Sequence, residues 1–192
     1  MELGLPALST IGFEGRLRTA FRSTIGRSGL RIRAYRRHDR QSPPARSRRK
    51  RGTQNQAIGK SRGGLTTKIV ALVDALGNLA RFVLLPGQRH DSVGVKPLIT
   101  GIDLAALIGD KAFDNNALRA ELRERRALAV IPSKADRSAP IHHDVDMYKW
   151  RHLIENFFQR LKEFRRLATR YDKTDTSFAA MIHLRAALLA LK

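Results

Sequence analysis

Two carboxylates and a set of phosphate-holding groups are the residues here whose types and spacing could do chemistry. Asp110 ends the apolar run Leu104 to Ile108, and Glu155 sits among helix formers together with Tyr148, Arg151 and Lys162. Turned at about 100° per residue from Tyr148, Arg151 falls near ~300°, Glu155 near ~340° and Lys162 near ~320°. The four share one narrow stripe. Ile154, Phe157, Phe158 and Leu161 cover the neighbouring arc, the face expected to pack on a sheet. A carboxylate at the edge of a buried face, flanked by Arg, Lys and a Tyr hydroxyl, is placed to share a divalent metal with an acid from a strand end. The cations would then pair with phosphate. The plainer alternative is an amphipathic helix with an Arg151–Glu155 ion pair at i,i+4, worth a few tenths of a kcal/mol, and an Asp110 that only caps a turn.

These residues need a scaffold, and the sequence from Leu65 onward supplies one. LTTKIVALVD is rich in β-branched residues and reads as a strand. The turn signal Leu76-Gly77-Asn78 leads into LARFVLLPG, a second strand closed by Pro86-Gly87, so residues 65–86 form a β-hairpin. A short helix follows near 92–101, then a strand at Leu104 to Ile108 buried on both faces. A helix over 115–126 and a strand over 127–133, stopped by Pro132, complete this part. Helical patterns then run over 147–164 and 176–191. Strands alternating with helices predict a layered α/β domain. Trp150, Phe157 and Phe158 are expected in the core, and His183 partly buried in the last helix. His90, His142 and His143 lack a zinc spacing.

Composition narrows the partners. The 192 residues carry 37 Lys and Arg against 17 Asp and Glu, a formal charge of +20, and no Cys. A disulfide framework, a Cys-ligated zinc site and a thiol nucleophile are excluded, and an intracellular setting is favoured. The amino terminus has no secretory pattern, and the most apolar stretch, broken by His183 and Arg185, falls short of a membrane span. Residues 1–64 hold 16 Lys and Arg against three acids. Within them Arg48, Arg49, Lys50 and Arg51 follow Pro43-Pro44 in a flexible stretch suited to gripping a phosphate backbone. A polyanion, nucleic acid before membrane surface, is the expected partner.

The spacing Tyr148-x2-Arg151-x3-Glu155-x6-Lys162 matches without a gap the Y-R-E-K signature of DDE transposases from bacterial insertion sequences. GKSRGGLTTKI (59–69), VDALGN (73–78), LLPGQRHD (84–91), GDKAFDNN (109–116), VIPSKADR (130–137) and HLIENFFQRLKEFRRLATRYDKT (152–174) also resemble this family, in the branch called insertion sequence 5. The resemblance implies an RNase H-like mixed sheet flanked by helices over 50–192, preceded by a basic segment over 1–49 for which disorder is one reading. It implies cleavage and rejoining of DNA with two Mg²⁺ or Mn²⁺ ions, Asp110 and Glu155 being catalytic metal ligands. Tyr148, Arg151 and Lys162 would contact double-stranded DNA with terminal inverted repeats. A homo-oligomer in the bacterial cytoplasm, at the nucleoid and away from membranes, is the expected working form.

One departure from the family pattern bears on activity. The family's first Asp lies in an Asp-Ser-Thr motif followed by Arg-Ala, and here that region reads RSGLRIRAYRRH. Arg33-Ala34, Leu30 and Ile32 resemble that strand, but Ser28 or a neighbour takes the place of the Asp, and Asp39 is the nearest acid. On this reading the sequence resembles a truncated or frame-disrupted copy. The alternative function is an inactive remnant that only binds DNA or a partner transposase chain. A basic RNA-binding protein ranks last, for want of aromatic-rich strand motifs.

Overall fold

The computed structural model describes residues 56–61 and 64–191, and residues 28–38 by their backbone. Six strands among these residues form one sheet: β1 (Ser28–His38), β2 (Gly59–Ser61), β3 (Gly64–Val73), β4 (Leu79–Pro86), β5 (Leu104–Gly109) and β6 (Leu128–Val130). β3 pairs antiparallel with β1, β2 and β4, while β1 runs parallel to β5 and β5 parallel to β6. The predicted hairpin is therefore β3–β4. Its turn closes with Gly77 at φ 85° and with the Asp74 carboxylate accepting from the Leu76 and Asn78 amides, both at 2.9 Å.

β1 lies in the middle of the sheet, between β3 and β5, although it falls ahead of the boundary expected at residue 50. Its register pairs Ile32 with Gly109 of β5 on one side and with Leu72 of β3 on the other. β5, LAALIG, is short, apolar and buried along most of its length, as fits a strand covered on both faces.

Two cores follow from the alternation of β3. Val70 and Leu72 face α1 (Val95–Ile99) and α2 (Asn116–Glu124), packing with Leu98, Leu122 and Phe113. Ile69, Ala71 and Val73 face the other way, onto Ile154, Phe157, Phe158 and Leu161 of α4 (His152–Glu163) and Phe178 and Ile182 of α6 (Asp175–Ala190). Each such large side chain contributes about 1.5–3 kcal/mol by leaving water, which is what holds helices to both faces. The result is a three-layer α/β arrangement.

The helix predicted over 147–164 is two pieces, α3 (Val145–Lys149) and α4. Between them Arg151 N–H bonds Tyr148 C=O and Leu153 N–H bonds Trp150 C=O, so the turn tightens to i→i−3 at the junction. Trp150 sits at this junction half-buried, whereas the Phe pair is in the core as expected. α5 (Arg165–Ala168) leads to a buried polar link at the start of α6. There the Arg170 guanidinium donates to Thr67 Oγ1 and, at 2.6 Å, to Asp175 Oδ1, while Asp175 Oδ2 accepts from the Ala57 amide at 2.6 Å. This link fixes the chain at residue 57 to β3 and α6. His183 is exposed rather than partly buried, with its ring 4.8 Å from that of Phe82.

Candidate active site

Asp110 leaves β5 with its backbone still extended, at φ −79° and ψ 170°, so the strand's alternation reaches it. Gly109 faces the α1–α2 core, since a Cβ built there would lie 3.4 Å from Phe113 and 3.6 Å from Ile131. Asp110 therefore falls on the opposite face, the one covered by α4, with α3 lying against β5 and β6. Its Oδ1 accepts from the Ala112 amide at 2.6 Å, which orients the carboxylate over a short 3-10 turn, Lys111–Phe113. The capping role weighed from sequence is thus present.

On α3 and α4 three members of the predicted stripe form a continuous chain. The Arg151 guanidinium lies 5.6 Å from the centre of the Tyr148 ring, and its Nη1 is 2.7 Å from Glu155 Oε1. His143 packs edge-on against Tyr148, ring centres 5.2 Å apart. Glu155 is in the first turn of α4, where a carboxylate also meets the positive end of the helix dipole. The Arg151–Glu155 pair is the one the plainer reading predicts. Lys162 is exposed in the last turn of the same helix. Arg48, Arg49, Lys50 and Arg51 lie outside the described residues, as does Asp39.

The structure brings Tyr148, Arg151 and Glu155 into direct contact and sets Asp110 on the face that their helices cover. It does not gather a larger cluster: among the described residues no group of three or more His, Cys, Asp and Glu is placed to hold a metal ion. Ser28–His38, the strand beside β5, contains no acid at all.

A polar knot beside Asp110 is not legible as a site from sequence. The Asp114 carboxylate, 1% exposed, accepts from Arg119 Nε at 2.7 Å, from Arg137 Nε and Nη2 at 3.0 Å, and from the Lys134 amide at 2.9 Å. Arg119 also donates to the Ile131 carbonyl and Arg137 to Asn116 Oδ1. Burial alone would push the Asp114 carboxyl up, but the bonds from Arg137, Lys134 and Arg119 together hold it well below the ordinary carboxylate range. Its membership of the GDKAFDNN segment is the one signal the sequence offers, because its partners lie up to 23 residues away. A second ion pair joins β3 to the loop after β4, Lys68 Nζ to Asp91 Oδ1 at 2.6 Å.

Comparison with known proteins gives the family. A family model described as "Transposase DDE domain" matches residues 36–190. A Brucella ovis protein named "Putative transposase for insertion sequence element IS6501" is 38% identical over 130 residues, covering 67% of this chain and all of that protein. With a family model matching most of its length and a transposase relative 38% identical over 67% of it, the chain belongs to the DDE transposases of insertion sequences.

Proposed function

We propose that this chain cleaves DNA strands at insertion-sequence ends and transfers them, with Mg²⁺ or Mn²⁺ as cofactor. The observation that carries the reading is the Tyr148–Arg151–Glu155 chain, laid along α3 and α4 on the sheet face that Asp110 occupies. An RNase H-like architecture is part of the proposal. It is supported by the antiparallel β1–β3–β4 meander, continued by β5 and β6 running parallel to its first strand.

Asp110 and Glu155 are the residues that would hold the ion. Both are hard oxygen donors of the type these cations prefer, and both are only partly buried. An ion held there would supply activation of water or a 3′-hydroxyl, and stabilisation of the leaving oxygen would fall to a second ion. Two carboxylates and water suffice for one ion, and a second ion needs a further acid that β1 does not contain.

The chain's own residues contribute position and charge. Arg151 holds the Glu155 carboxylate in one orientation and is itself braced on the Tyr148 ring, so the helix presents a fixed pattern of charge to a phosphate. Tyr148, Arg151 and Lys162 would contact the ends of double-stranded DNA, and Arg48 to Arg51 the backbone beyond. Terminal inverted repeats, a homo-oligomeric working form and a place at the bacterial nucleoid complete the proposal. Among the described residues no helix is long and apolar enough to cross a membrane.

Fluorescence anisotropy with a labelled duplex tests the division of roles. Arg151→Ala and Lys162→Ala should each weaken binding and lower the slope of log affinity against log salt by about 0.9 per lost phosphate contact. Glu155→Gln should leave affinity within about twofold, since it removes a metal ligand and no phosphate contact. Loss of DNA binding in Glu155→Gln would overturn the role given to that carboxylate.

A further inference from the structure

We infer that Asp114 is a positioning residue for the Asp110 carboxylate. The inference rests on the proposed reading of Asp110 as a metal ligand and deepens it. Asp110 and Asp114 are the two ends of one short turn: Phe113 N–H bonds the Asp110 carbonyl at 3.0 Å, and Asp114 N–H bonds the Lys111 carbonyl at 3.2 Å. One end is held by β5 through Gly109, in register with β1. The other is held by Asp114, whose carboxylate is bonded at both oxygens to groups from two other parts of the fold.

Those groups come from α2, through Arg119, and from the segment after β6, through the Lys134 amide and Arg137. The segment after β6 runs on to Asp144, which caps α3 by accepting from the Met147 amide at 2.8 Å, and α3 leads into Glu155. Asp114 thus joins the turn that follows Asp110 to the segment that leads on to α3. Phe113, 1% exposed, pins the last residue of the turn, next to Asp114, into the α1–α2 core. A turn restrained at both ends leaves Asp110 little freedom except about its own side-chain torsions. A buried carboxylate that took no part in such positioning could be replaced without changing how Asp110 holds an ion.

The test is Mn²⁺ binding to the full chain, followed by electron paramagnetic resonance of the free ion, well below the melting temperature of each variant. The wild type and Asp110→Asn come first. If both bind Mn²⁺ equally, the metal reading of Asp110 fails, and the inference falls with it. If binding depends on Asp110, Asp114→Asn is expected to raise the half-saturating Mn²⁺ concentration about tenfold or more, the scale on which groups orienting a ligand act. Arg137→Gln, at a partly exposed position, keeps the test open should Asp114→Asn not fold, and should weaken binding in the same direction by a smaller factor. Thr67→Ala serves as the structural control. It breaks the buried link with Arg170 and Ala57, which has no part in the knot or in the α1–α2 core, so it should lower the melting temperature and leave half-saturation unchanged. Asp110-dependent binding that is unaltered in both Asp114→Asn and Arg137→Gln, or equally weakened in Thr67→Ala, overturns the inference.

Discussion

Asp114 shows how a single side chain can be worth more to the fold than its surroundings suggest. Its carboxylate is taken out of water but receives two guanidinium groups and a backbone amide, so the bonds outweigh the burial. Asp114→Asn should cost about 3–5 kcal/mol at neutral pH, because it leaves buried Arg119 without its charge partner. The sign with pH follows from the depressed folded value. The carboxylate's contribution is complete above its unfolded value of 3.8 and is lost progressively as pH falls below it. Urea unfolding of wild type and Asp114→Asn at pH 7 and pH 3 should show a gap that narrows at the lower pH. A gap of constant size would mean that the charge is not what stabilises. Glu155 contrasts with this case: it is 37% exposed, and its pair with Arg151 is an i,i+4 surface pair worth little to stability.

The elements hold their places by terms that can be tested one at a time. α2 ends with Arg126 in the left-handed region at φ 56°, and the Ala127 amide bonds the Leu122 carbonyl at 2.8 Å to close the helix. Arg126 is exposed, so Arg126→Gly should remove strain without losing packing and raise stability by about 1 kcal/mol. At Gly94 an added Cβ would meet Val70 and Val83 side chains at 2.9–3.0 Å, so Gly94→Ala should destabilise by about 1–3 kcal/mol in the same denaturation assay. The elements also mark what was legible in the sequence. The β3–β4 hairpin and β5 followed from local signals: a turn around Gly77 and an unbroken apolar run. The split between α3 and α4 did not, because Trp150 and Arg151 are ordinary helix residues and only the tightened hydrogen bonds at the junction reveal it. β1 was marked only by the likeness of Leu30, Ile32 and Arg33-Ala34 to the family's strand, since cations are spaced through SGLRIRAYRRH, and its central place comes from partners far along the chain. The Y-R-E stripe was legible because three or four residues bring side chains onto one helical face. The Asp114 knot was not, because its partners converge from separate elements.

At the scale of the whole molecule, the formal charge of +20 sets how the chain meets DNA. Most of it lies before Leu65, while the β5 end and the α3–α4 stripe lie after. The affinity and the proposed chemistry should therefore separate. Replacing Arg48, Arg49, Lys50 and Arg51 with Ser should weaken duplex binding and reduce its salt slope by up to about 4, with little dependence on duplex sequence. The central claim is that Asp110 and Glu155 form the working part of a DNA-cleaving centre. It is tested most directly by Mn²⁺-dependent nicking of supercoiled plasmid by the purified chain, run beside Glu155→Gln. The account predicts nicking by the wild type that disappears in Glu155→Gln while plasmid binding persists. A wild type that binds the plasmid and leaves it intact, or nicking that survives in Glu155→Gln, would contradict it.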